Sequence, residues 1–235
     1  MQKYKQVPFI ILIIVACIGA FLNYNYSHVK GEPASGADIA WMLTATGLVL
    51  LMTPGLSYFY GGMVSSKNII STMLQSVIAM SVISVMWVVV GFSFAFGDSI
   101  GGIIGNPFTY FMFRGVNGDT HPGLSPTVPL LLFAMFQLKF AIITPALITG
   151  SFAERVRFSA YILFMILFSI FIYAPLAHWT WHPNGFLRNL GVLDFAGGTV
   201  VHMSAGFAAL VGAILLGRRR SHIKKKSTLL PIFLM

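Results

Sequence analysis

Charge is what this chain has least of. Asp, Glu, Lys and Arg together make up 9% of its residues, and only six of them are acidic. A soluble domain carries about 25% charged residues, so a water-solvated globular surface is excluded. Cysteine is nearly absent as well. The single Cys17 lies inside an apolar run and supports neither a disulfide framework nor a metal site. No Ser–His–Asp spacing, phosphate-cradling glycine loop or metal-ligand cluster occurs. We therefore expect no enzyme activity, no cofactor and no metal. His178 and His182 stand four apart, the nearest approach to a metal pair, but Pro183 and the loop composition around them weigh against it. No internal repeat and no soluble domain is visible.

What is abundant is hydrocarbon. Of 235 residues 57% are hydrophobic, and the mean hydropathy is +0.82. The apolar runs are long and do not alternate strictly, which favours helices over a barrel. The fold class expected is all-α, a polytopic transmembrane helix bundle in the cell membrane. A net charge of +9 invites a nucleic-acid reading. The cations argue against it, because most sit in short clusters beside apolar spans, as the positive-inside bias requires. Membrane lipid, not nucleic acid, is the expected partner.

Along the chain, Lys3 and Lys5 precede an apolar run from Val7 to Leu22. Residues 1–22 read as a signal peptide or a retained signal anchor, with both left open. Residues 23–38 form an extracytoplasmic segment. A transmembrane domain of five helices occupies 39–217, with spans at roughly 39–64, 69–96, 127–152, 158–179 and 194–217. A long Gly/Pro/Asn-rich loop covers 98–126, and a short loop carrying Trp181 and His182 follows the fourth span. A basic cytoplasmic tail fills 218–235. One set of loops holds nine cations: Lys67, Arg155, Arg157, Arg218, Arg219, Arg220, Lys224, Lys225 and Lys226. The other set holds three, Lys30, Arg114 and Arg188, so the first set faces the cytoplasm. Glu154 and Arg155 read as an ion-paired turn on that side. Thr144-Pro145 predicts a bend in the third span, its freed carbonyl satisfied by hydroxyls or neighbours.

The stretch Asp194-Phe-Ala-Gly-Gly-Thr-Val-Val-His202 opens the fifth span, and His202 is its only imidazole. Asp194 is placed to cap the helix or to add charge to a site. His202, eight residues on, is expected buried roughly 12 Å deeper at about 1.5 Å per residue. An ionisable group there is a functional candidate, with a packed histidine as the plain alternative. Phe136 and Phe140 share a helix face one turn apart, with Gln137 beside them. With Trp181 they make either a cation–π vestibule or an aromatic belt and packing pair. Lys139, in mid-span, either snorkels or faces the interior, at a cost of about 2.5–3.5 kcal/mol.

Four segments carry a resemblance. They are Tyr58-Phe-Tyr-Gly-Gly62, Phe136-Gln-Leu-Lys-Phe-Ala141, Ile143-Thr-Pro-Ala-Leu-Ile-Thr-Gly-Ser-Phe-Ala-Glu-Arg-Val-Arg-Phe158 and the Asp194–His202 stretch. In order and spacing they resemble the ammonium transporter (Amt/Mep/Rh) family over about Ala37 to Arg218. The resemblance implies transport of ammonium or ammonia by a homotrimer with one pore per subunit. It also implies a fold of two inverted five-helix halves plus a final helix, of which this chain is the N-terminal half. Phe136 and Phe140 would be a stacked gate. Trp181 with Phe140 would form an outer cation site supported by Asp194. His202 would be the first of two pore histidines, with Gln137 also lining the pore. The second histidine and the outer-site hydroxyl would lie beyond Met235. The alternative expectation is a truncated, non-conducting fragment acting as a membrane-embedded sensor or assembly partner.

Overall fold

The computed structural model describes residues 31–219, together with Ile10, Ile13, Ile14 and Cys17, which are helical and exposed. The remaining leader positions within 1–22 and the tail after Arg219 lie outside the described residues. Among the described residues, five helices are long and apolar enough to cross a membrane: Gly36–Gly62, Ser66–Phe96, Leu130–Phe152, Phe158–Asn189 and Gly198–Leu216.

The first span starts at Ser35, whose side chain accepts the Asp38 amide at 3.3 Å, while Asp38 places a carboxylate in the first turn. Both features satisfy the free amides and dipole of a helix start. Its buried residues are Thr53, Ser57 and Gly61, one every four positions. Its large residues, Trp41, Leu48, Leu51 and Tyr58 among them, are exposed. This is membrane logic: small and hydroxyl residues allow close helix contact, and apolar bulk faces lipid. The Ser57 hydroxyl donates to the Met73 carbonyl at 3.1 Å, and a Cβ on Gly61 would meet Met73 Cγ at 3.0 Å.

The third span is the axis of the bundle and buries thirteen residues, from Leu130 to Phe152. Hydroxyl groups gather around its Pro145, on carbonyls other than that of Ala141, which the proline leaves without its helical donor. Thr144 Oγ1 donates to Phe140 O at 2.6 Å, Tyr161 OH to Pro145 O at 3.3 Å, and Tyr60 OH to Leu147 O at 2.6 Å. Lipid offers backbone groups no such partner, so neighbouring side chains supply it.

Three spans carry a π-helical turn: Trp87–Gly91, Ser169–Tyr173 and Gly198–Met203. The first two touch through Trp87 and Tyr173, whose rings meet edge to face at 6.3 Å, and Trp87 Nε1 donates to Ala134 O of the third span at 3.0 Å. The 98–126 segment, expected as a loop, forms two antiparallel hairpins, the second running on to Pro129, so the third span starts at Leu130 rather than at 127. In one, β1 (Ser99–Ile100) pairs with β2 (Ile104–Gly105); in the other, β3 (Thr120–His121) pairs with β4 (Ser125–Pro129). Gly101 and Gly102, at φ +62° and +76°, make the first turn possible.

At the opposite end, Glu154 sits at φ +64°. Its Oε1 accepts Ser65 N at 2.9 Å, Ser65 Oγ at 2.5 Å and Asn68 Nδ2 at 2.9 Å, which ties the 65–68 loop to the third span. Arg155 donates to the carbonyls of Ser151 and Gly217. Arg219 donates to Met63 O at 3.2 Å and Gly150 O at 2.7 Å. Guanidinium groups thus cap the carbonyls left open at helix C-termini, where a cation also meets the negative end of the dipole. The turn therefore joins spans, a role beyond the local ion pair expected from its sequence. Glu154→Ala should lower stability by about 1–3 kcal/mol, as expected for hydrogen bonds to a charged group, while Glu154→Gln keeps an acceptor and loses less. Thermal unfolding in detergent, with the two variants side by side, checks this order.

Candidate functional site

The fifth span begins at Gly198, not at Asp194. Asp194 reaches forward instead: its Oδ2 accepts Thr199 N at 3.1 Å and Val200 N at 2.9 Å. A carboxylate here satisfies two otherwise open amides at the positive end of the helix. Gly197, at φ +79°, makes the turn into the helix, and a Cβ there would lie 3.0 Å from Val201 Cγ2 and 3.9 Å from Trp181 Cζ2.

Trp181 is the last residue of the helical segment Ala174–Trp181, where the sequence suggested a loop. Its Nε1 donates to the Asp194 carbonyl at 3.2 Å. The fourth span is thereby bonded to the start of the fifth. On its other side the indole meets Phe140 edge to face, with centroids 6.2 Å apart and planes at 67°. Phe140 in turn meets Phe136 at 5.0 Å and 78°. The two phenyl rings are therefore edge to face, not stacked, the arrangement their quadrupoles prefer. Gln137, on the same helix, is buried, and its Oε1 has no hydrogen-bond partner among the described residues.

His202 departs from expectation. It stands about one turn inside the helix, because the helix starts four residues later than expected, and it is exposed rather than buried. Met203, Phe207, Leu210, Val211, Ile214 and Leu215 are exposed with it. No other described span covers this face. Part of it borders an apolar groove of about 710 Å³ between the fourth and fifth spans, lined by Phe164, Ile172, Leu176, Met203 and Phe207.

Lys139 is half-buried and has no hydrogen-bond or ion-pair partner among the described residues. Tyr173, which sequence reasoning missed, is buried, and its hydroxyl has no partner among the described residues. Its position at the end of a π-turn leaves no periodicity signal. His178 and His182 are stacked at 4.4 Å, with ring nitrogens engaged by Ala95, Ser99 and Asn184.

These elements describe a multi-pass helical membrane protein in which a row of aromatic rings is tied to a capped helix start. Comparison with known proteins narrows the class. A profile described as the Ammonium Transporter Family matches residues 40–232. An "Ammonium transporter" of Aquifex aeolicus is 54% identical over 207 residues, 86% of this chain and 48% of that protein. One of Bacillus subtilis is 48% identical over 187 residues, 78% of this chain and 44% of that protein. The crystal structure of Saccharomyces cerevisiae Mep2 superposes with a TM-score of 0.73 at 33% identity, covering 83% of this chain and 46% of that one. The chain belongs to the ammonium transporter family. It spans about half the length of the curated relatives it matches.

The Asp194 contacts carry a direct test. Asp194→Ala removes the acceptor of two amides and should cost about 1–2 kcal/mol, as loss of a helix cap does. Asp194→Asn keeps an acceptor and loses only the charge–dipole term, about 0.3–1 kcal/mol. Unfolding midpoints of the two variants in detergent measure the difference.

Proposed function

We propose that this chain forms one wall of a path for ammonium or ammonia across the cell membrane. The observation that carries the reading is the continuous chain of rings Phe136–Phe140–Trp181, bonded through Trp181 to Asp194, at the head of the helix that bears His202. The family membership supports the substrate, and the relatives named above are transporters rather than enzymes.

The physical problem is charge. A bare cation in hydrocarbon meets a Born penalty of tens of kcal/mol, whereas neutral ammonia does not. In this reading, Trp181 and Phe140 hold the cation by its attraction to ring faces, worth about 0.5–2 kcal/mol per ring. The nearby Asp194 carboxylate adds a favourable field. The Phe136–Phe140 pair then restricts passage to a small dehydrated species. His202 and Gln137 line the way below. Imidazole suits that place, because one of its ring nitrogens can accept a hydrogen while the other donates one. The aromatic mouth faces outward and the arginine-rich end faces the cytoplasm. A homotrimer with one path per subunit is the assembly in this reading, and a second wall facing His202 completes each path.

A second reading rests on the uncovered His202 face: a chain that does not conduct and serves as a membrane sensor. A structure titled "Sensor Amt Protein" superposes with a TM-score of 0.71 at 34% identity. Uptake of labelled methylammonium by a transporter-deficient host separates the two. Conduction by this chain, alone or joined to the complementary half of a relative, supports the first reading. Absence of uptake in both contexts supports the second. In the conducting context, Trp181→Ala should weaken apparent affinity by roughly two- to thirty-fold, the range set by one cation–π contact. His202→Ala should alter the charge moved per nitrogen. Unchanged uptake and current in that variant would remove His202 from the mechanism.

A further inference from the structure

At the arginine-rich end of the bundle, Arg155 donates to the Gly217 carbonyl, which fastens the turn after the third span to the end of the fifth. Arg157 stands two residues beyond Arg155, and Arg218 follows Gly217, so the same bond gathers both. Both are exposed and have no hydrogen-bond or ion-pair partner among the described residues. Arg157 precedes the fourth span and Arg218 follows the fifth, which sets their guanidinium groups at the depth of lipid headgroups. Arg155 Nε is buried, also without a hydrogen-bond partner. Burial, and then the neighbouring Arg219 charge, hold that guanidinium below its ordinary value. Of the six acidic residues in the chain only Glu154 lies at this end, and its Oε1 already receives Ser65 and Asn68. The corner is short of negative charge.

The start of the fourth span adds to the deficit. Its first helical segment, Phe158–Phe168, has Arg157 as its N-cap, no side-chain cap and no acidic residue in the first turn. Residues 157–160 are exposed. Open amides at the positive end of a helix favour an anion, and a phosphate suits them well.

The apolar groove between the fourth and fifth spans runs down to this corner. Val156, next to Arg157, and Leu216, two residues before Arg218, line one end of it, and Thr199 lines the other. From Thr199 to Leu216 is about 25 Å at about 1.5 Å per residue, longer than the ~15 Å of one leaflet's hydrocarbon. The buried Phe152, whose ring meets Phe164 edge to face at 4.7 Å, forms the floor. Ser204 borders the groove but turns its hydroxyl onto Val200 O at 2.5 Å. Spread over that length, the volume of about 710 Å³ leaves a cross-section of roughly 28 Å². A helix about 10 Å across needs roughly 80 Å². The groove is too thin for a protein helix and has the proportions of a hydrocarbon chain. His202 does not line it, so an occupant leaves that ring uncovered.

We propose that an anionic phospholipid binds at this corner, with one acyl chain along the groove and its phosphate held by Arg157, Arg218 and the open amides of the fourth span. The two ends of the lipid do different things. The acyl chain packs on Phe207, Val211 and Leu215, which are exposed in the groove. That contact accepts any tail, since lipid tails are all as apolar as leucine. Selection lies at the phosphate. A zwitterionic headgroup carries its own cation and offsets the attraction, whereas an anionic one gains about five-fold in affinity from each arginine. The bound lipid bridges the turn after the third span and the ends of the fourth and fifth. None of this depends on what crosses the membrane.

The test is native mass spectrometry of the full chain in a mild detergent, titrated with phosphatidylglycerol and with phosphatidylcholine of the same acyl chains. The first phosphatidylglycerol should bind roughly twenty-five-fold more tightly than the first phosphatidylcholine, about five-fold for each arginine. Arg157→Gln with Arg218→Gln should abolish that preference. Val211→Trp, which fills the groove, should weaken both lipids. Inorganic phosphate, which has no tail, should not displace phosphatidylglycerol. Equal affinity for the two lipids overturns the site. So does a preference that persists in the double variant, which places it in the basic tail, or binding unchanged in Val211→Trp. Displacement by phosphate alone overturns it too, in favour of a free-anion site. If the variants do not fold, a phosphatidylglycerol with a photoactivatable acyl chain decides on the wild-type chain. Adducts within Phe207–Leu216 and Phe152–Phe164 that the phosphatidylcholine analogue does not give support the site, and any other pattern overturns it.

Discussion

The Asp194 carboxylate is the contact on which the rest of the site depends. Two amides at the head of the fifth span end on one oxygen, and the Asp194 carbonyl receives the Trp181 indole. One residue therefore terminates a helix and positions an aromatic ring of its neighbour. Trp181 cannot swing without losing its acceptor, and Phe140 and Phe136 follow it in an edge-to-face series. The chain of constraint runs from backbone satisfaction to ring placement. In a medium without water the first is obligatory. The second comes with it.

The same rule explains the opposite end. Five apolar helices leave open carbonyls where they stop, and the 150–155 turn and the chain after Gly217 supply guanidinium groups to them. Glu154 takes a left-handed backbone conformation there while gathering donors from the 65–68 loop. Such a conformation is sparsely populated for a residue with a side chain, so the surrounding contacts must over-determine it. The mid-helix proline is treated similarly, by tyrosines from the first and fourth spans. Polar side chains in this protein serve mostly to finish the backbone. That is why so few are needed.

Run length alone makes the five spans legible in the sequence. Helical spacing placed Phe136 and Phe140 together, and the position of Asp194 ahead of an apolar run announced a helix start. What escaped were features without a hydropathy signature. The π-turns at Trp87–Gly91, Ser169–Tyr173 and Gly198–Met203 change hydrogen-bond register, not apolar content. Trp181 was misplaced into a loop because a following His-Pro-Asn-Gly stretch reads as a turn, while the helix runs up to it. The hairpins of the 98–126 segment are two residues long on most strands, too short for alternation to show. Tyr173 and the arginine caps are tertiary facts: nothing local says which carbonyl or carboxylate a distant side chain will meet.

His202 shows how sequence depth and structural burial can part. Position along the chain puts the imidazole inside a membrane span, yet the ring stands on an uncovered face. Below it that face is Phe207, Leu210, Val211, Ile214 and Leu215, all of which acyl chains satisfy as well as protein does. The imidazole is different, because an ionisable ring in hydrocarbon is costly unless it faces protein or a water-filled path. The force that favours covering this face is therefore concentrated in its first turn, beside the aromatic mouth. A surface packed there would remove that cost.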